Sequence, residues 1–185
     1  MALPRNLQQA YSLGELELLT GSSEEVTIRP TFAMPKLELL GGTVGPFQPP
    51  RTLKVPLWLA CTLKRRNRCH IVPPDWLTIA HLDKASEFEE LNHYRFSENL
   101  PFRFMEIAHM LIECASDDIP DAQHLWRIIQ DLREMRQSKA REGLKDLDAR
   151  YLQMDGLSSF EINEVRPVFS KVFNEQVKIE KTRTS

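Results

Sequence analysis

Apolar residues recur at helical spacing through the second half of the chain. In FMEIAHMLIECA, Phe104, Ile107, Ala108, Leu111 and Ile112 share one face, which predicts an amphipathic helix. After a short break, DDIPDAQHLWRIIQDLREMRQSKAREGLKDLD carries the stripe Leu125, Ile128, Ile129, Leu132 and Met135, which resumes at Leu144 and Leu147. Pro120 suits the first turn of this helix, and Gly143 weakens its middle. Ser158 and Glu161 have the spacing of a capping box and announce a last helix, in which Val165, Phe169, Val172, Phe173 and Gln176 share a face. Pro167 interrupts that pattern and predicts a bend or restart near Arg166.

The first part of the chain has a different rhythm. VTIRPTF, KLELL and LKVPLWL are short apolar or alternating runs cut by Pro35, GGTVGPFQPP and Pro56, which predicts short strands and turns. The fold class is therefore α+β, mainly α, with a small N-terminal β-rich domain followed by a larger α-helical domain. Residues 1–20 read as an N-terminal extension, either mobile or a short helix over 13–19. Residues 21–60 form the β-rich domain, 61–179 the helical, oligomerising domain, and 180–185 a frayed tail.

Composition changes this picture little. A chain of 185 residues, 42% hydrophobic and 27% charged, can bury its own core, and a net charge of −2 gives no global attraction to polyanions. Cys61, Cys69 and Cys114 are an odd number without framework spacing, so they read as free thiols in a reducing compartment. No stretch reaches the length of a membrane span, which predicts a soluble intracellular protein without a membrane partner.

The local chemistry is less uniform. Between residues 51 and 77, Arg51, Lys54, Lys64, Arg65, Arg66 and Arg68 stand against Asp75 alone. This run falls short of the phosphate contacts and stacking aromatics of a nucleic-acid groove, so an acidic protein partner is the preferred reading. Cys61, Cys69 and His70 lack the second close pair that structural zinc needs, and adjacent Cys69 and His70 side chains diverge on a strand, away from nucleophile–base geometry. Asp117 and Asp118 read as caps for the following helix, and LGGTVGPF, neither a P-loop nor a dinucleotide fingerprint, as a turn. No catalytic, cofactor-binding or metal-ligating residue is assigned, and no cofactor is expected. Several apolar helix faces without a catalytic constellation point to a subunit.

VTIRPTF, LLGGTVGPF, VPLWLACTLKRRNRCHIVPPDWL and ECASDDIP, in this order, resemble the GINS complex family, in its partner-of-Sld-five number two type. The resemblance runs from about residue 24 to about residue 178, with an extension before it. It implies a nuclear DNA-replication protein without enzymatic activity of its own, one of four related subunits that join through their helical domains into a heterotetramer. That complex joins the ring-shaped minichromosome-maintenance helicase and a RecJ-like partner protein, with direct DNA contact absent or secondary. The order of β unit then helices fits the two subunits whose small domain comes first. In this reading Pro56 to Leu63 closes the β unit and starts a helix, Pro56, Trp58, Leu59 and Trp76 pack at the domain seam, and Pro73 and Pro74 re-aim the chain into the helical domain. Lys64, Arg65, Arg66 and Arg68 then form a partner interface. The alternatives are a stand-alone helical adaptor and a small thiol hydrolase using Cys69 or Cys114.

Overall fold

The computed structural model describes residues 9–143 and 155–183, with side chains of the last helix described through residue 172. Helix α1, Leu13–Ser23, opens with a capping box in which the Ser12 hydroxyl accepts from the Glu15 N–H and the Glu15 carboxylate accepts from the Ser12 N–H at 2.8 Å. From residue 13 the N-terminal segment thus takes the helical alternative.

Strand β1, Glu25–Pro30, follows directly, then the short strands β2, Leu37–Leu39, and β3, Gly42–Val44, which pair as a hairpin. Three residues of the glycine-rich stretch read as a turn, Gly42 to Val44, are therefore strand; Gly42, at φ 140°, supplies a backbone conformation that side chains resist. Strand β4, Leu53–Pro56, pairs antiparallel with β1, and helix α2, Leu57–Arg65, starts without a loop. Leu57 to Leu59, placed in the β-rich domain by its bound at residue 60, form the helix start that the family resemblance implies after Pro56, because their apolar spacing continues through Ala60, Cys61 and Lys64, all buried on one side of α2. A tight turn at Asn67, φ 55°, returns the chain to β5, Cys69–Val72, which pairs with the other edge of β1. The sheet order is β4-β1-β5, so its third strand lies beyond residue 60.

Four further helices follow among the described residues: α3, Ile79–Leu91; α4, Phe104–Ala115; α5, Ala122–Gly143; and α6, Ser159–Arg183. Helix α4 has the expected bounds and buries Phe104, Ala108, Leu111 and Ala115, while Ile107 and Ile112 are half-buried at its margins. Helix α5 begins after Asp121, whose φ of 51° breaks the chain, so Pro120 precedes the helix and does not form its first turn. Leu125, Ile128, Ile129 and Leu132 are buried as expected, and Met135 packs at the edge of the core. Leu144, Leu147 and the side chains of Phe173 and Gln176 lie outside the described residues. The predicted cap of α6 is present: Ser158 N–H donates to Glu161 at 2.8 Å and Glu161 N–H donates to the Ser158 hydroxyl at 3.3 Å. The helix passes through Pro167 without a restart, since a proline removes one N–H bond while the turns on either side keep theirs.

Sheet and helices share a single continuous apolar core that runs from Ile28 and Val55 through Leu57 and Leu82 to Leu111 and Ile129. Within it Glu106 is fully buried and, among the described residues, neither carboxylate oxygen has a hydrogen-bond partner. Burial pushes its carboxyl above the ordinary value. A carboxyl held protonated more tightly in the folded than in the unfolded state costs stability as pH rises through its folded value, and costs nothing below its unfolded one. Glu106→Gln is therefore expected to raise the melting temperature at about pH 8 and to converge on the parent near about pH 4, where an ordinary glutamate is itself neutral. A substitution that lowered the midpoint equally at both pH values would show that the charge is not what the site resists.

Candidate functional site at the sheet and helix joint

Where α2 meets the helical unit, the basic run divides in two. Lys64, the residue that continues the buried stripe of α2, is 7% exposed and its Nζ lies 2.7 Å from Asp117 and 2.8 Å from Asp118. Asp118 also accepts from the Ile71 N–H of β5 at 2.7 Å and meets His70 Nδ1 at 2.9 Å. Burial alone would raise the Asp118 carboxyl, but hydrogen bonds from Lys64, His70 and the Ile71 N–H hold it below the usual aspartate value. Burial likewise works against the Lys64 cation, and the two carboxylates more than reverse that, lifting its pKa. Asp117 and Asp118 therefore do not cap α5; they clasp α2 and β5 to the end of α4. Lys64 is correspondingly not an open surface cation, because a lysine on the apolar face of α2 needs a buried counter-charge.

Arg65, Arg66 and Arg68 point the other way. Arg65 is 65% exposed and lies 3.6 Å from Glu113; Arg66 and Arg68 are exposed without an ion pair among the described residues. The outer face of the sheet extends this surface, since Arg29 stands opposite His70 and Lys54 opposite Thr27, with Arg29, Lys54 and His70 all exposed. Strand alternation, with Val26, Ile28, Val55 and Ile71 turned inward, is the signal that places these cations together.

At the seam, Leu59 is buried, while Pro56 and Trp76 are half-buried and Trp76 packs on the core. Trp58 is 42% exposed, contrary to its expected place, because helical phase turns it away from Leu57, Ala60 and Cys61. Its Cβ instead borders α1, whose Gly21 comes so near that a methyl group there would sit 3.4 Å from Trp58 Cβ and 3.3 Å from Met110 Cε.

A second buried charge cluster, missed in the sequence, ties the helices together. Arg136 of α5 is 1% exposed and makes a two-pronged ion pair with Glu161 of α6 at 2.6 and 2.9 Å, a further pair with Glu89 of α3, and a hydrogen bond to the Gly156 carbonyl at 2.6 Å. Lys139 also pairs with Glu89, and the Arg136 guanidinium lies 4.9 Å from the centre of the Phe96 ring. Glu161 serves both as the cap partner of Ser158 and as the anion for Arg136.

Cys69 faces the core and His70 solvent, as adjacent strand positions require. Burial pushes the Cys69 thiol up to about 11, and Cys114 is likewise raised, first by its contact with Cys61; both shifts work against a thiolate nucleophile at either position. No described helix is long and apolar enough to cross a membrane.

Comparison with known proteins decides the family. The PSF2 N-terminal domain pattern matches residues 12–72 and the GINS complex protein helical bundle domain matches residues 76–175. The chain belongs to the PSF2 family of GINS proteins. Its PSF2 N-terminal domain takes in α1, which had been read as preceding the family pattern, and ends with β5. A DNA replication complex GINS protein psf2 of Schizosaccharomyces pombe is 44% identical over 179 residues, covering 97% of this chain and 96% of its own length. The PSF2 proteins of Debaryomyces hansenii and Saccharomyces cerevisiae are 43% and 35% identical, each covering 94% of this chain and 84% and 89% of their own lengths.

Proposed function

We propose that this PSF2-family chain is a non-catalytic structural subunit of a nuclear, heterotetrameric GINS complex acting in chromosomal DNA replication. In this reading the complex joins the minichromosome-maintenance helicase ring to a RecJ-like partner protein. The observation that carries the reading is the match of both domains, end to end, to proteins named as members of a DNA replication GINS complex. The surface supports it: Leu18 and Leu19 on α1, Leu91 and Tyr94 at the end of α3, and Phe102 before α4 are exposed at 53% or more. Large apolar side chains exposed at these places are surface that sister subunits can cover. Arg65, Arg66 and Arg68 form the part of the basic run left open to an acidic partner surface.

Light scattering on the chain alone and after co-expression with three sister subunits tests the assembly. The expected result is a 1:1:1:1 complex that forms only on co-expression; a monodisperse monomer indifferent to the other three would establish the stand-alone adaptor instead. In the same complex, Arg65→Glu, Arg66→Glu and Arg68→Glu together are expected to leave the tetramer intact while lowering the salt concentration at which the helicase partners dissociate. Unchanged salt sensitivity would remove the basic surface from the interface.

A further inference from the structure

We propose that Cys61 and Cys114 form a peroxide-oxidisable dithiol whose disulfide locks α2 to α4. The two sulfurs come from different helices and different parts of the fold, yet lie 3.1 Å apart, with the Cys114 thiol directed at Cys61 Sγ. Cys61 sits in the middle of α2, where it is fixed; Cys114 is the next-to-last residue of α4, half-exposed, where a helix end can yield the small movement that a bond requires. Arg65, one turn along from Cys61, reaches across to Glu113 at 3.6 Å and holds the same two helices together beside the thiols.

The chemistry is the same from either thiol of the contact; taken from Cys61, it runs in two steps. The hydrogen bond from Cys114 outweighs burial and, with the Arg65 charge, lowers the Cys61 thiol below its ordinary value. Cys61 thiolate attacks one peroxide oxygen, the O–O bond breaks, and hydroxide leaves with the Cys61 proton as water. Once Cys61 is oxidised, the thiolate contact that raised the Cys114 thiol is gone; the Cys114 sulfur loses its proton and attacks the sulfenic acid, the S–O bond breaks and a second water leaves. Two thiols lose two electrons and two protons, and one peroxide is reduced to two waters. Cys69 is an internal control: it is 2% exposed, its thiol is directed at the Ala60 carbonyl 3.8 Å away, and neither other cysteine is hydrogen-bonded to it.

The bond would fasten α2, which lies between two strands of the sheet, to α4 of the helical unit, next to the Lys64 clasp. The inference rests on the fold and not on the assignment of partners. Trypsin places the three cysteines on separate peptides, 55–64, 69–84 and 104–127, so the purified co-expressed complex can be treated with hydrogen peroxide, alkylated and digested without reductant. The expected product is peptide 55–64 joined to 104–127, released by dithiothreitol, with Cys69 still alkylated and the melting midpoint raised reversibly. Cys114→Ser, and Cys61→Ser where it assembles, should abolish both effects. Alkylation of all three thiols after peroxide, over-oxidation of one cysteine, or a bond through Cys69 or another subunit would each overturn the proposal.

Discussion

Arg136→Ala is expected to lower the stability of the helical unit by about 3–5 kcal/mol, the range for removing one partner from a buried ion pair. The guanidinium is the only cation in contact with Glu161 among the described ion pairs and one of two on Glu89, and both carboxylates are at most 2% exposed. Its removal leaves the Glu161 charge in a medium that cannot solvate it, orphans the Gly156 carbonyl, and opens a void beside Phe96. A loss of that size corresponds to a fall of roughly 10 °C in the melting midpoint of a chain this long. Arg136→Lys keeps the charge but loses the two-pronged geometry with Glu161, so an intermediate fall is expected. Differential scanning calorimetry of the co-expressed complex reads all three proteins. A midpoint for Arg136→Ala within two degrees or so of the parent would mean that the acids take up protons or water at little cost. The consequence for assembly is direct, because Arg136 holds α3, α5 and α6 in register, and α3 ends in the exposed Leu91.

Arg136 also shows where the sequence stops being legible. The stripe of α5 was readable because Leu125, Ile129 and Leu132 repeat at helical spacing, and the next position of that repeat is 136. There an arginine stands among alternating charges, a pattern that by itself marks a solvated face. The same extension recurs twice: Leu57, Ala60 and Lys64 in α2, and Leu82, Ala85 and Glu89 in α3. In each case a charged residue occupies the phase of the buried stripe, and the phase outranks the residue type. Helix α3 was missed for this reason, since only two apolar residues and an acid make up its buried side. What phase cannot supply is the partner. Glu89 lies 47 residues from Arg136, and Asp117 lies 53 from Lys64, and no local pattern couples positions that far apart. The cap at Ser158 and the bounds of α4 were legible because their causes are local. The third strand of the sheet was legible only as a local alternation at Cys69 and His70: CHIV is four residues long, and it joins the sheet because β1 offers it a free edge.

The clasp at Lys64 should show its ionic nature in its pH dependence. Lys64→Met keeps much of the side-chain volume but leaves Asp118, 8% exposed, without its lysine, and is expected to cost about 3 kcal/mol near neutral pH, at the lower end for a broken buried pair because the Ile71 N–H and His70 still bind the carboxylate. Asp118 has a depressed folded pKa, so the stability it contributes is present above the ordinary aspartate value of about 4 and is lost as pH falls through the folded value. Lys64 has a raised one, so its share is fully present below the ordinary lysine value of about 10.4 and is lost only as pH rises through the folded value. The pair therefore acts at full strength across the neutral range and weakens first on the acid side. The difference in melting midpoint between the parent and Lys64→Met should accordingly be constant from about pH 6 to about pH 8 and shrink below about pH 4, as the aspartates of the unfolded chain, and then Asp118 of the clasp, take up protons. In a double-mutant cycle, Asp118→Asn should cost little on top of Lys64→Met, since each removes the same interaction. Additive losses, or a difference that persists unchanged into acid, would show that Lys64 stabilises the joint by packing its methylenes against α4 and not by its charge.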